Sequence, residues 1–163
     1  MKTNNILNLA KKQNLCKDYQ EKMKNDSSLE SLCQMYFEGD DWSMENDFPD
    51  IETLRAFKGK SDIYGLHTDY IGSNKSEFEA AYFGNSIVVL TYDQFSIGKL
   101  ILRHNTKAKI KASGNAILII NILDKAQVEI ECLEEASVSI FCYDNHNVKS
   151  IGNVKVHKST FKR

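Results

Sequence analysis

A ten-residue beat runs through the second half of this chain and constrains its fold more than any other feature. Between Lys75 and Gly152 the sequence divides at Lys75, Asn85, Phe95, Asn105, Asn115, Lys125, Glu135 and Asn145. In that frame the sixth residue of successive units reads Ala80, Leu90, Leu100, Ile110, Ile120, Ile130, Ile140 and Ser150. The fourth position runs from Phe78 and Val88 through Gly98 and Ala108 to Val138 and Val148, and the eighth from Tyr82 and Tyr92 to Cys142 and Gly152. The second position is small or polar, from Ser76 and Ser86 to Ala136 and His146. A fixed period implies stacked copies of one supersecondary unit, not an ordinary globular core.

Within each unit apolar and polar residues alternate, which is the period of a strand, and a short corner follows. The corners carry turn chemistry at Phe83-Gly84-Asn85, Ser113-Gly114-Asn115, Asp144-Asn145 and Gly152-Asn153. Gly and Asn tolerate the left-handed backbone that a sharp corner needs. Such a period suits a solenoid with two strands per coil or an antiparallel meander. Charge patterning separates them. If residues twenty apart stack in parallel, Glu79 meets Lys99, Lys109 meets Glu129, Glu129 meets Lys149, Lys111 meets Glu131, and Ile97 meets Ile117. A meander with neighbours ten apart sets Lys99 against Lys109 and Lys109 against Ile119. Opposite charges across strands contribute roughly 0.2–1 kcal/mol per pair and like charges oppose pairing, which favours the solenoid.

Before the repeats the period is helical. Ile6, Leu9 and Ala10 share one face of a first segment, and Tyr19 and Met23 one face of a second. Ser27 and Glu30 have capping-box spacing ahead of a stripe of Leu29, Leu32, Cys33, Tyr36 and Phe37, which Gly39 ends. Asp41 is placed to cap a short turn carrying Trp42, and Asp50 to cap a last helix with Ile51, Leu54 and Phe57, stopped at Gly59. The reading is an α+β chain: a helical unit over residues 1–59 packed on a two-sheet β-solenoid, or β-helix, of ten-residue repeats over 60–163. A unit so short has little core of its own and is expected to lean on the repeats.

The outward residues define two faces. One carries Ile87, Val89 and Thr91, then Lys107, Lys109 and Lys111, then Gln127, Glu129 and Glu131, then Asn147, Lys149 and Ile151. The other carries Glu77 and Glu79, then Ile97, Lys99 and Ile101, then Ile117, Ile119 and Asn121, then Ser137, Ser139 and Phe141. Ile97, Ile101, Ile117, Ile119 and Phe141 on one outer sheet form an apolar face that calls for a cover: the chain's own helical unit, a second copy, or a foreign protein. At the end of the ladder Val154–Lys158 reads as a last, capping strand, and Lys155, Lys158, Lys162 and Arg163 guard its edge.

The search for chemistry returns little. The net charge of −1 gives no global pull toward nucleic acid or anionic lipid. Cys16, Cys33, Cys132 and Cys142 lack metal-ligand spacing; Cys132 and Cys142 fall at inward positions, where the thiol acts as a small hydrophobe. No phosphate loop, nucleophile elbow or metalloprotease motif is present. His67, His104, His146 and His157 are scattered. Asp40, Asp41, Glu45, Asp47 and Asp50 cluster without the ligand alternation of a calcium loop, so helix capping and solvation are expected there. The start of the chain lacks the apolar run of a signal peptide, and no stretch reaches membrane-span length, so a reduced cytoplasmic protein is expected.

The units Asn115-Ala116-Ile117-Leu118-Ile119-Ile120 and Glu135-Ala136-Ser137-Val138-Ser139-Ile140 resemble the Asn-Ala-x-Val-x-Ile repeats of uncharacterised β-solenoid proteins from gut bacteria and their phages. The stretch from Leu32-Cys33 through Asp41-Trp42 to Phe48-Pro49 is similar to the helical lead-in of those proteins. The resemblance implies a fold and no catalytic residues. The expectation is a non-enzymatic interaction or assembly module without cofactor or metal, contacting protein or its own copies, and neither nucleic acid nor membrane. The alternative is a phage or mobile-element effector that inhibits a host protein, with the acidic helical segment as bait.

Overall fold

The computed structural model describes residues 3–143 and 147–161. The chain divides into two compact units, residues 1–64 and 65–163, so the boundary falls five residues beyond Gly59.

The first unit contains helices α1 (Asn4–Lys12), α2 (Lys17–Asn25), α3 (Leu29–Glu38), α4 (Asp40–Glu45) and α5 (Ile51–Ala56), and then a 3-10 turn at Asp62–Tyr64. Its core joins Ile6, Ala10, Leu15, Met23, Leu32, Met35, Phe48 and Phe57. The stripe spacing puts these residues on inward faces. Caps explain the boundaries. Asp50 Oδ1 accepts from the Thr53 N–H at 2.8 Å and starts α5, as its place before the stripe requires. At α3 the capping residue is Ser28, not Ser27. Its Oγ accepts from the Ser31 N–H, while Asp26 Oδ1 takes the Ser28 N–H. Asp26 holds the turn before the helix, and α3 begins at Leu29 as the sequence places it. Asp41 caps nothing, because Gly39 both closes α3 and opens α4.

The second unit is a parallel β-solenoid. Its strands are β1 (Leu66–Thr68), β2 (Ile71–Lys75), β3 (Glu79–Phe83), β4 (Ile87–Tyr92), β5 (Ile97–Leu102), β6 (Lys107–Ala112), β7 (Ile117–Ile122), β8 (Gln127–Cys132), β9 (Ser137–Cys142), β10 (Asn147–Ile151) and β11 (Val154–Lys158). Odd strands form a six-stranded sheet and even strands a five-stranded one. Every adjacent pair is parallel, and from β3 to β10 the register is twenty residues. Glu79 lies beside Lys99, Lys109 beside Glu129, Lys111 beside Glu131, Lys149 beside Glu129, and Ile97 beside Ile117. The solenoid is therefore the fold that the charge pattern selects. Only the end coils depart from the beat. Leu66 pairs with Ala81, Ile71 with Ile87, and Val154 with Val138, each at a shorter offset.

The interior is the set of columns read from the beat. Leu90, Leu100, Ile110, Ile120, Ile130 and Ile140 are buried, flanked by Val88, Leu118, Val128 and Val138 and by Leu102, Ile122, Cys132 and Cys142. Gly98 is the exception that proves informative. A Cβ there would meet the Tyr92 ring at 2.6 Å and Leu118 at 2.8 Å. The missing side chain is the room that Tyr92 occupies. In the second column Ser86 and Thr106 are buried and satisfied: their hydroxyls donate to the carbonyls of Phe83 and Tyr82.

The corners use glycine less than expected. In the six corners from residue 84 to residue 134 the left-handed residue is the last of its unit. It is Gly84 and Gly114 in two corners, but Gln94, His104, Asp124 and Glu134 in others. A left-handed L-residue costs roughly 1–2 kcal/mol. Three of the four non-glycine side chains offset this by accepting a hydrogen bond from the corner twenty residues earlier. His104 Nδ1 takes the Gly84 N–H at 3.1 Å, Asp124 Oδ2 the His104 N–H at 2.9 Å, and Glu134 Oε2 the Gly114 N–H at 2.6 Å. Gly152 is obligatory for a different reason, since a Cβ would lie 1.7 Å from the Cys132 carbonyl oxygen. The Asp144-Asn145 corner and His146 lie outside the described residues.

Candidate interaction face

The outer surface of the odd-stranded sheet is where side chains are least explained by folding. Its four inner strands, β3, β5, β7 and β9, are held by the ladder on both edges and by the buried columns beneath, so their outward side chains project from a fixed frame. Five large apolar residues there, or at the corners leading into it, stay in water: Phe95 at 81% exposure, Phe78 at 67%, Ile97 at 54%, Ile117 at 52% and Ile119 at 45%. Ile97 and Ile117 are register partners on β5 and β7, with Ile119 two residues along β7. Phe95 precedes Ile97 by two residues, and the Phe78 carbonyl accepts from the Lys99 N–H of β5.

Of the five residues assigned to this face from sequence, three meet here and two do not. Ile101 is fully buried, in a column with the buried Ala81 and Asn121. Phe141 is half-buried and stacks on His157 of β11, ring centroids 5.1 Å apart. Alternation tells which side of a sheet a residue faces; it does not tell whether that spot is open. The two phenylalanines escaped the periodic reading. The decad frame puts Phe78 in the inward fourth column and Glu77 outward, and the structure corrects both. The left-handed residue of that corner is Ser76, two places later than the frame requires, so residues 77 and 78 lie in the corner and strand alternation does not apply to them. Phe95 did leave a signal. It stands in a first column otherwise filled by Lys75, Asn85, Asn105, Asn115, Lys125, Glu135 and Asn145.

A second constellation, inside the first coil, was invisible as a motif. His67, inward on β1, stacks on Tyr82 with ring centroids 4.6 Å apart and directs Nε2 to Glu77 Oε1 at 2.9 Å. Tyr82 Oη donates to Glu77 Oε2 at 2.6 Å, and Asn74 Nδ2 reaches the same oxygen at 3.2 Å. Tyr70 Oη donates to Asn74 Oδ1, and Tyr92 Oη to the Glu77 carbonyl. Burial pushes the Glu77 carboxyl up, but the hydrogen bonds from His67, Tyr82 and Asn74 outweigh it and hold the group below its ordinary value. An ionised carboxylate only accepts, so His67 Nε2 carries the proton. Burial, with the neighbouring Glu77 carboxylate, raises the Tyr82 phenol, which stays neutral. This end of the solenoid is closed by a connected polar network where the other coils use aliphatic layers.

The remaining candidates resolve as structure. Cys132 and Cys142 are buried, and burial pushes both thiols up; Cys33 is pushed up to about 12. Asp40 and Asp41 sit in the first turn of α4 and Asp50 caps α5. Among the described residues no group of three His, Cys, Asp or Glu side chains is placed to hold a metal ion, and no helix is long and apolar enough to cross a membrane. No protein-family model matches the chain, and neither a curated protein nor a solved structure does.

Proposed function

We propose that the chain is a non-enzymatic protein-interaction and assembly module whose contact surface is Phe78, Phe95, Ile97, Ile117 and Ile119. The observation that carries the reading is the exposure of three isoleucines on β5 and β7 and of two phenylalanines at the corners leading into that sheet. Scattered apolar residues are ordinary on a surface, but a contiguous patch favours association. The geometry also speaks for the class of ligand. Small molecules are bound in concave pockets that enclose most of their surface, whereas a sheet's outer face is matched by another extended protein surface. Aromatic residues at the margin suit such a contact, because Phe removes much area from water at low entropic cost.

The test is light scattering of the whole chain as a function of concentration at about 1 M salt, where contacts between surface charges are screened. The wild type is expected to associate, and Ile119→Asp to stay monomeric with an unchanged thermal transition at matched low concentration. A wild type that remains monomeric at every concentration refutes self-assembly and leaves the face to a foreign protein. Undiminished association in Ile119→Asp refutes the assignment of this face.

A further inference from the structure

We infer that the outer face of the even-stranded sheet is a second, electrostatic contact surface, complementary to the same face of a second copy of this chain across a two-fold axis parallel to the strands. The argument is the order of its rows. The β6 row is Lys107, Lys109 and Lys111, and the next row, on β8, is Gln127, Glu129 and Glu131, every one exposed. Each basic residue therefore stands beside its neutral or acidic counterpart at the same height along the strand.

A two-fold axis along the strands, passing between β6 and β8, preserves height along the strand and reverses the order of rows. It places Lys109 over the partner's Glu129 and Lys111 over the partner's Glu131, and each contact occurs twice, as an isologous interface requires. An axis along the solenoid instead sets lysine row on lysine row and is excluded by repulsion. The charges are only partly used within the chain. Glu129 is shared by Lys149 at 3.2 Å and Lys109 at 3.8 Å, while Lys111 and Glu131, among the described residues, make no ion pair. The same pattern argues against nucleic acid. The lysine row alone would suit phosphates, but a glutamate row one strand spacing away, about 4.8 Å, lies well inside the Debye length and cancels its field.

Size sets the strength. The axis between β6 and β8 overlaps four strands, β10, β8, β6 and β4; at about 4.8 Å spacing and five residues at about 3.3 Å rise they give a contact of roughly 320 Å² per copy. That is well under half of the ~800 Å² that each partner contributes to a stable interface. The dimer is accordingly weak, and held by charge.

Sedimentation of the full chain across ionic strength tests this. With the apolar contact removed by Ile119→Asp, dimer is expected at about 0.01 M salt and monomer near 1 M, where the Debye length has fallen from roughly 30 to 3 Å. K109E should weaken the low-salt dimer by about tenfold or more, since it creates two repulsive contacts, and K109E/E129K should restore it. K107E makes the same charge change opposite the partner's Gln127 and should have a much smaller effect. Ile119→Asp should leave the low-salt dimer intact, which separates this contact from the apolar one; loss of the dimer in that variant overturns the assignment. In the Ile119→Asp background a monomer at low salt, a dimer that persists near 1 M, or equal losses on adding K107E and K109E also overturns it.

Discussion

The two outer faces of the solenoid are built from one repeat, with the same alternation and the same parallel register, yet their central strands present opposite chemistry to water. At the centre of the odd-stranded face β5 and β7 show Ile97, Ile117 and Ile119; at the centre of the even-stranded face β6 and β8 show a lysine row beside a Gln/Glu row, flanked by the exposed Ile71, Ile87, Val89 and Ile151 of β2, β4 and β10. Their inward columns are nearly interchangeable: Leu100, Ile120 and Ile140 on one side, Leu90, Ile110 and Ile130 on the other. The comparison teaches where selection for folding stops. Inward positions must fill a layer between two sheets, so their side chains are fixed by volume. Outward positions are free of that demand, and a difference between the faces therefore reflects what each one meets.

The sharpest way to break this comparison is to exchange inward for outward. Ile120→Ala, in the middle of the core, is expected to cost about 2–5 kcal/mol in denaturant unfolding. Ile117→Ala, three residues earlier on the same strand, should stay within about 0.5 kcal/mol. Similar costs at both positions would mean that the outer face helps to hold the fold.

The next effect concerns the polar end of the solenoid. Glu77→Ala leaves the His67, Tyr82 and Asn74 donors without their acceptor and should cost about 1–3 kcal/mol. The linkage has a definite sign. The folded carboxyl is held below its ordinary value of 4.5, so its contribution is fully present above that pH and is lost as pH falls through the folded value. Acid unfolding of the wild type should show this loss below pH 4.5, and Glu77→Ala should lack it. An identical acid limb in both proteins would mean that the network is not coupled to folding.

A smaller effect separates strain from bonding at the corners. Glu134→Ala keeps the left-handed strain and loses the hydrogen bond to Gly114, a cost of about 1 kcal/mol. Glu134→Gly loses the bond but relieves the strain, and should leave stability nearly unchanged. If glycine costs as much as alanine, the cross-coil bond alone decides the residue there.

Much of this architecture was legible because periodicity acts on every coil at once. The twenty-residue register followed from the Lys/Glu pairs Glu79–Lys99, Lys109–Glu129, Glu129–Lys149 and Lys111–Glu131, and the cap at Asp50 from its place before an apolar stripe. What was not legible is local. Ser76 shifts one corner by two places, and that slip turned Glu77 inward and Phe78 outward. His67 and Asn74 belong to a coil that leaves the beat, so nothing in the repeat marked them as partners of Glu77. Non-glycine corner residues are stabilised by groups twenty residues away, which local turn preferences do not register. Of the interaction face, the isoleucines were legible as outward; the burial of Ile101 was not.

The account rests on the claim that the exposed isoleucines of the odd-stranded sheet serve contact and not folding. Ile117→Asp tests it most directly, with unfolding and light scattering measured on the same protein at about 1 M salt, where the charged face is screened. The prediction is an unfolding midpoint equal to that of the wild type at low concentration, together with loss of concentration-dependent association. A lowered midpoint with association unchanged would contradict it, because Ile117 would then be part of what holds the solenoid together.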